Sequence, residues 1–157
     1  YGRARFAAIH LFEPNPDTFA RLERNLAANN LGGLCTAHRV ALSDRAGTIY
    51  MESPHGYSVL NMVSDTGTVP VACDTLDAFA AARGIGAVDL FKVDVEGHEM
   101  PLLRGASRVL ESARTLFVEV KRECLPAFEA LATAAGFSET SRQPLPTGDA
   151  MVLWERK

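Results

Sequence analysis

Short runs of apolar residues alternate along the chain with longer segments in which apolar residues recur every three or four positions. The short runs predict β-strands and the longer segments predict amphipathic helices. Strands are predicted at 6–12, 36–42, 48–52, 68–73, 88–95 and 115–120. Helices are predicted around Phe19, Leu22 and Leu26 with a stop at 29–33, and at 76–83, 99–110 and 125–135. The segment 53–67 has no period and predicts an exposed loop.

This alternation is typical of βαβ units, in which helices connect parallel strands. The first strand is apolar except for His10, as expected of a strand covered on both faces. The tail predicts an antiparallel hairpin that pairs 137–141 with 151–154. At 157 residues the chain has the length of one domain. We therefore predict a single α/β domain over residues 1–157, with helices on both faces of the sheet and a C-terminal β-hairpin.

The net charge of the chain and the length of its apolar runs indicate which classes of binding partner are not expected. The chain has 16 basic and 19 acidic residues, a formal net charge of -3. No overall positive field therefore attracts a phosphate backbone, and nucleic acid is not an expected partner. The longest apolar runs are interrupted by His10, Lys92 or Arg104 and fall short of the about 20 residues that cross a bilayer. A membrane partner is not expected either.

The three cysteines, Cys35, Cys73 and Cys124, stand far apart without a CxxC pair. Neither a disulfide framework nor a zinc knuckle is predicted. Free thiols in a reducing compartment are the simpler interpretation, and we expect a cytoplasmic protein.

Acidic residues follow several predicted strands, at the edge of an α/β sheet where ligands bind. Glu13 follows the first strand, the segment 94–99 (DVEGHE) follows the fifth, and Glu119 lies near the end of the sixth. A carboxylate there can accept both hydroxyls of a ribose. No G-x-G-x-x-G or G-x-x-x-x-G-K-S/T turn is present to hold phosphates. S-adenosylmethionine (SAM), which has a ribose and a sulfonium but no phosphate, fits better than a dinucleotide. On charge and hydrogen bonding alone, a nucleotide-sugar site and a metal site stay open as alternatives.

Several motifs in order resemble the FkbM family of SAM-dependent methyltransferases. They are 11–16 (LFEPNP), 74–77 (DTLD), 89–99 (DLFKVDVEGHE) and 103–106 (LRGA), with Glu119 after them. The resemblance runs from about residue 9 to 119 and implies a Rossmann-like methyltransferase sheet. It also implies a small-molecule hydroxyl acceptor, such as a sugar or polyketide, and O-methylation as the reaction.

The resemblance implies roles for individual residues. Glu13 would hold the ribose hydroxyls of SAM, with Asn15 shaping the turn beside it. The alternative role of Glu13 is that of a turn carboxylate at a helix N-terminus. Atoms near Ala41, Leu42 and Ser43 would lie by the adenine. The residues expected to face the methionine end and the acceptor are Asp94 and Glu96.

We predict His98 as the base that takes the hydroxyl proton, because its ordinary pKa of about 6.5 suits a proton acceptor near neutrality. Asp94 completes the predicted catalytic pair. His98 has an alternative role as the partner of a neighbouring carboxylate. For Glu99, helix capping is favoured over chemistry. Lys92 is expected to pair with an acid or to extend its amino group to solvent.

The roles of two further sets of residues stay open. Asp94, Glu96 and His98 alternate on an extended segment, which does not define a coordination shell, so no metal is assigned. The segment 53–67 contains His55, Tyr57 and Ser58. These side chains either contact the acceptor substrate or are exposed to solvent without a binding role. The oligomeric state is not predicted.

Only twelve residues precede Glu13, which leaves no room for the first strand and glycine-rich turn of a nucleoside-binding fold. We expect the chain to lack the first βα unit and to be the C-terminal part of a longer protein. The alternative is a non-catalytic remnant or binding module with the same fold. A nucleotide-binding oxidoreductase is a weaker alternative.

Overall fold

The computed structural model describes residues 6–52, 62–63 and 67–156. The strands in that part are β1 (Ile9–Phe12), β2 (Cys35–His38), β3 (Ala41–Leu42), β4 (Gly47–Glu52), β5 (Met62–Val63), β6 (Val69–Asp74), β7 (Leu90–Val93), β8 (Thr115–Val120), β9 (Phe137–Pro144) and β10 (Ala150–Arg156). The helices are α1 (Pro16–Ala28), α2 (Leu76–Arg83), α3 (Glu99–Arg104), α4 (Ser107–Ser112) and α5 (Leu125–Ala134). A single 3-10 turn (Arg122–Cys124) precedes α5.

The chain divides into two compact units. The first comprises Tyr1–Ala41 and Gly47–Cys73, and the second comprises Leu42–Ala46 and Asp74–Lys157. The prediction of one domain over residues 1–157 stays a prediction.

In the first unit β1 and β2 form a parallel pair in which Ile9 lies opposite Cys35. The helix α1 connects them, as expected of a βαβ unit. A second sheet has the strand order β3-β6-β4-β5. Leu42, the last residue of β3, and Asp74, the last residue of β6, belong to the second unit. The buried core here is built from small and medium apolar side chains, namely Ala41, Ile49, Met51, Val71 and Cys73.

The second unit contains a four-stranded sheet in the order β7-β8-β10-β9. β7 and β8 are parallel, whereas β10 runs antiparallel to both β8 and β9. The predicted C-terminal hairpin is thus confirmed. Alternate residues of β8 are fully buried, and Phe128 of α5 meets Trp154 of β10 edge to face, with ring centroids 5.7 Å apart.

Most helix and strand predictions agree with the structure, and two do not. The predicted strand at 36–42 is interrupted after His38, and β2 and β3 belong to different sheets. The predicted helix at 99–110 is two helices, because α3 ends at Arg104 and α4 begins at Ser107.

The interruption between α3 and α4 has a tertiary cause. The carboxylate of Asp77 in α2 accepts hydrogen bonds from the backbone N–H groups of Arg108 and Val109 and from the Ser107 hydroxyl, each at 3.0 Å. These bonds satisfy donors that a helix leaves free at its N-terminus. A new helix therefore starts where apolar spacing alone predicts continuation.

The predicted loop at 53–67 includes the short strand β5. His55, Tyr57 and Ser58 lie outside the described residues. Among the helices of the described part, none has the length and apolar character needed to cross a bilayer.

Candidate functional site

The predicted ribose acid, Glu13, directly follows β1 in the first unit. Its backbone N–H donates to the carbonyl of His38 at 3.1 Å, so it sits at the carboxyl end of the β1–β2 pair. Its Oε1 accepts a hydrogen bond from the Asn15 N–H at 2.8 Å. Burial raises the pKa of Glu13, and the Asn15 N–H partly opposes that effect. One oxygen of a half-buried carboxylate is therefore used by the turn, and the other is available to a donor.

The turn after Glu13 is built by Asn15, which is buried. Its side-chain oxygen accepts from the N–H groups of Asp17 at 2.9 Å and Thr18 at 3.2 Å, as an N-cap residue does. Pro16 at the first helical position needs no such partner. The sequence Glu-Pro-Asn-Pro thus starts α1 and at the same time orients the Glu13 carboxylate.

The second group of predicted residues lies in the second unit, on the loop between β7 and α3. Asp94 follows β7, is exposed and pairs with Lys92, whose Nζ lies 2.7 Å from Oδ2. Glu96 and Gly97 have φ angles of 50° and 97°, in the left-handed region that non-glycine residues rarely occupy. Strain of this kind persists only where neighbouring groups hold it, and it is common at functional sites.

The groups that hold this loop are Lys121 and Glu99. Lys121 Nζ lies 3.2 Å from Glu96 Oε2 and 3.2 Å from Asp149 Oδ2. Burial lowers the pKa of Lys121, but the hydrogen bonds to Asp149 and Glu96 outweigh burial and raise it above its ordinary value. On the other side, Glu99 Oε1 accepts from the Gly97 N–H at 2.7 Å. This bond satisfies a backbone donor of the loop before α3, whereas in the described part no side-chain hydrogen bond caps α3 itself, and the capping role of Glu99 stays a prediction.

Glu119 of β8 belongs to the same acidic neighbourhood. Burial raises its pKa, and the negative charges of Asp94 and Glu96 add to that effect. The carboxyl ends of β7 and β8 therefore bring together the acids that the sequence places after separate strands. Across the described ranges, no group of three or more His, Cys, Asp or Glu side chains is arranged to hold a metal ion.

His98, the predicted base, stands immediately before α3 and is half-buried. Its Nε2 lies 3.0 Å from the hydroxyl oxygen of Ser43, a residue 55 positions away in the chain. Burial lowers the pKa of His98, and Asp44 opposes the shift. A lowered pKa favours the neutral ring near pH 7, which is the state that a general base requires.

The predicted adenine segment forms β3 and the residue after it. Ala41 and Leu42 are buried, and Ser43 has only 1% of its surface exposed. The predicted contacts of Ala41, Leu42 and Ser43 with an adenine stay predictions. What the structure adds is that Ser43 and His98, predicted for different tasks, are hydrogen-bonded to each other.

Sequence reasoning gave no role to Lys121 or Asp149. Lys121 directly follows β8, and its position at the carboxyl end of a strand could have marked it as a candidate site residue. Asp149 lies in the turn before β10, and only the antiparallel pairing of β10 with β8 brings it to the same edge. Its Oδ1 accepts from the Arg122 N–H at 3.1 Å.

A family model described as the methyltransferase FkbM domain matches residues 3–137. The chain belongs to the FkbM methyltransferase family. The resemblance carried by the motifs is thereby confirmed.

Curated relatives of the chain are named as methyltransferases. Hexuronic acid methyltransferase AglP of Haloferax volcanii is 34% identical over 115 residues, which cover 73% of this chain and 47% of AglP. The 2-O-methyltransferase NoeI of Sinorhizobium fredii is 26% identical over 132 residues, which cover 72% of this chain and 53% of NoeI. The FkbM-family chain thus spans about half the length of the curated relatives it matches.

One solved structure matches the fold. It is the crystal structure of methyltransferase FkbM from Methylobacillus flagellatus, with a TM-score of 0.63 and 16% identity over 96% of this chain and 37% of that chain. At this identity the likeness concerns the fold, and it confirms the predicted Rossmann-like methyltransferase fold class.

Proposed function

We propose that this chain carries the site of a SAM-dependent O-methyltransferase that acts on a hydroxyl of a sugar or a similar small molecule. Membership of the FkbM family supports methyl transfer over the oxidoreductase alternative. The names of AglP and NoeI, a hexuronic acid methyltransferase and a 2-O-methyltransferase, favour a carbohydrate hydroxyl as the acceptor.

The observation that carries the proposal is the half-buried His98 before α3, whose Nε2 lies 3.0 Å from the Ser43 hydroxyl oxygen. A hydroxyl is a weak nucleophile until a base removes its proton, and a neutral imidazole is suited to that step near pH 7. The bond to Ser43 holds the ring in one orientation, and burial lowers the pKa of His98, which favours the neutral form.

Glu13 is proposed to accept the ribose hydroxyls of SAM with the oxygen that the turn does not use. Asn15 fixes that carboxylate by capping α1. Ala41, Leu42 and Ser43 are proposed to lie by the adenine. The residues proposed for the methionine end and the acceptor are Asp94 and Glu96. Carboxylates suit a cofactor that carries ammonium and sulfonium charges and no phosphate.

SAM, when bound, supplies an electrophilic methyl group on its sulfonium to the acceptor oxygen. The hydroxyl proton passes to His98 and from there to solvent. Asp94, whose negative charge acts on Glu119, is proposed to be the second catalytic residue and to orient the acceptor.

The base role of His98 is tested by transfer of labelled methyl groups from SAM to a panel of neutral and acidic sugars. In the intact protein, His98→Gln should lower kcat by about 10²- to 10⁴-fold, the range of general base catalysis, with little change in SAM affinity. Arg108→Gln, at an exposed position of α4, is the control. Full activity of His98→Gln would exclude the base role. Absence of transfer by the unaltered protein to every acceptor, together with absence of SAM binding, would favour the non-catalytic remnant.

The ribose role of Glu13 is tested by calorimetric titration of SAM into the intact protein. Glu13→Gln keeps the acceptor for the Asn15 N–H but loses the charge, and we expect affinity to fall by about tenfold or more, since a hydrogen bond to a charged group contributes about 1.5–3 kcal/mol. Glu23→Gln on the exposed face of α1 is the matched control. Equal affinities of Glu13→Gln and the unaltered protein would contradict the assignment.

The proposed location is the cytoplasm, consistent with the free thiols of Cys35, Cys73 and Cys124, and cell fractionation tests it.

A further inference from the structure

Buried Ser43 and half-buried His98 form a pair beside the carboxylate of Asp44. The Ser43 hydroxyl oxygen lies 3.0 Å from His98 Nε2 and 3.4 Å from Asp44 Oδ1. The first distance is that of a good hydrogen bond, and the second is that of a long one. Within the part of the chain that the structure describes, no group bonds to His98 Nδ1.

The position of Ser43 is set by the backbone on both sides. Its N–H donates to the carbonyl of Asp74 at 2.9 Å. Gly105 packs so closely on the Ser43 carbonyl that a Cβ at position 105 would overlap it. The hydroxyl is therefore presented to His98 by a backbone that has little freedom to move.

Two proton arrangements satisfy the Ser43–His98 bond. In one, the hydroxyl donates to Nε2, so the ring proton is on Nδ1 and the lone pair of the unprotonated Nε2 is taken up by the Ser43 hydroxyl. In the other, Nε2–H donates to the hydroxyl oxygen, and the hydroxyl hydrogen turns toward the Asp44 carboxylate. Only the second arrangement leaves an unprotonated nitrogen, Nδ1, facing away from Ser43.

We propose that Ser43 and Asp44 are positioning residues that hold His98 in the Nε2–H tautomer, so that Nδ1 is the atom that takes the acceptor's proton. The proposal rests on the proposed role of His98 as the base. Neither Ser43 nor Asp44 touches the substrate in this role, since both act through the ring.

The proton balance favours this tautomer. When Nδ1 gains the acceptor's proton, the imidazolium has two N–H groups, and the one on Nε2 must donate to Ser43. In the Nε2–H tautomer that bond already exists, so no group rotates during proton uptake, which is the advantage of a preorganised site. The other charged groups that act on the ring are Asp44, which favours the protonated form, and Arg104 and Arg45, which oppose it.

The decisive measurement is nitrogen NMR of the intact protein with ¹⁵N-labelled histidine, without cofactor or acceptor. The chain has 4 histidines, and the spectrum of His98→Gln assigns the His98 signals by their absence. Above the pKa of His98 we expect a protonated Nε2 and an unprotonated Nδ1. A protonated Nδ1 would overturn the proposal, and this result needs no variant of Ser43.

Ser43→Ala tests the role of the hydroxyl. Loss of the acceptor for the imidazolium should lower the NMR-measured pKa of His98 by about one unit, because hydrogen bonds to charged groups are stronger than bonds to neutral ones. It should also let both tautomers appear. The matched control is Ser112→Ala, which removes a serine hydroxyl bonded at 3.0 Å to a backbone carbonyl of α4. An unchanged pKa and tautomer in folded Ser43→Ala would contradict the proposal.

The acidic limb of the pH profile of kcat/KM links the tautomer to catalysis. We expect that limb to move down by the same pH interval in Ser43→Ala as the NMR-measured pKa. If His98→Gln keeps full activity while the tautomer is Nε2–H, the proposed base role fails and the positioning of the ring by Ser43 stands. If the tautomer is Nδ1–H, the positioning proposal fails whatever the activity.

Discussion

The buried carboxylate of Glu99 has a cost in solvation and also makes a hydrogen bond that holds the loop before α3. Only 1% of its surface is exposed, and in the described part its Oε2 is buried without a hydrogen-bond partner. Its Oε1 meanwhile holds the Gly97 N–H in the strained loop before α3. Burial raises the pKa of Glu99, partly offset by the N–H groups of Gly97 and Glu99 itself. The geometry of the loop is therefore maintained at an electrostatic cost.

This cost predicts a pH dependence of stability. A raised pKa means that folded Glu99 keeps its proton to a higher pH than unfolded Glu99 does, so its contribution to the free energy of unfolding falls as pH rises from about 4.5 through the folded pKa. Glu99→Gln has no such charge and retains an oxygen for Gly97. We expect the stability of Glu99→Gln relative to the unaltered protein to increase over that range, measured by urea unfolding.

The control for net charge is Glu111→Gln, which removes one exposed negative charge from α4. A difference between Glu99→Gln and the unaltered protein that stays constant from pH 4 to pH 7 would show that Glu99 ionises equally in the folded and unfolded chain.

At the scale of elements, the junction of α3 and α4 shows a tertiary contact overriding a local pattern. Apolar residues recur at helical spacing from Leu102 to Leu110, and both ends are buried. The chain nevertheless leaves the helix at Gly105, whose carbonyl accepts from the Asp77 N–H at 3.0 Å. The close packing of Gly105 on the Ser43 backbone needs a residue without a side chain.

Gly105→Ala should therefore destabilise the protein by about 1–3 kcal/mol, the usual cost of overpacking. It should also weaken the Ser43–His98 bond, because the added Cβ displaces the Ser43 carbonyl. Urea unfolding measures the first effect and the His98 signals in NMR measure the second.

Gly86→Ala is the matched control, since a Cβ at Gly86 meets no atom within 4 Å. We expect it to change stability by less than about 0.5 kcal/mol. A Gly105→Ala protein as stable as Gly86→Ala would refute the packing argument.

At the scale of the whole molecule, Lys121 connects segments of the second unit that are distant in sequence. It follows β8, and its Nζ bonds to the loop after β7 through Glu96 and to the turn before β10 through Asp149. Its side chain is 22% exposed and that of Asp149 is 10% exposed. An ion pair at this depth is more costly to break than one in full contact with water.

Lys121→Met should lower the free energy of unfolding by about 1–3 kcal/mol, because it leaves two carboxylates without their cation while keeping the length of the side chain. It should also raise hydrogen exchange in the loop 94–98. Both effects are measured on the intact protein, by urea unfolding and by exchange followed with mass spectrometry.

Lys92→Met is the control, because Lys92 pairs with Asp94 at 2.7 Å but is 50% exposed. Exposed pairs contribute about 0–1 kcal/mol. Equal losses in the two variants would contradict the view that burial makes the Lys121 pairs important.

The sequence by itself determined the elements whose signals are local. The N-cap Asn15, the Thr75 cap and left-handed Gly84 of α2, and the alternation in β8 are set by neighbouring residues, and their bounds were predicted within a few positions. The family was also readable, because strand-end motifs are contiguous. The acids at the ends of β1, β7 and β8 could be placed because each follows or ends its own strand in the sequence.

Only the tertiary structure decided which of these groups meet. The bond between Ser43 and His98, the Asp77 cap on α4 and the triad of Lys121, Glu96 and Asp149 join residues that lie 25 to 55 positions apart. No local pattern encodes such pairs, because they depend on how strands and helices pack after each has formed. Local propensity therefore settles where elements lie, and packing settles which of their side chains meet.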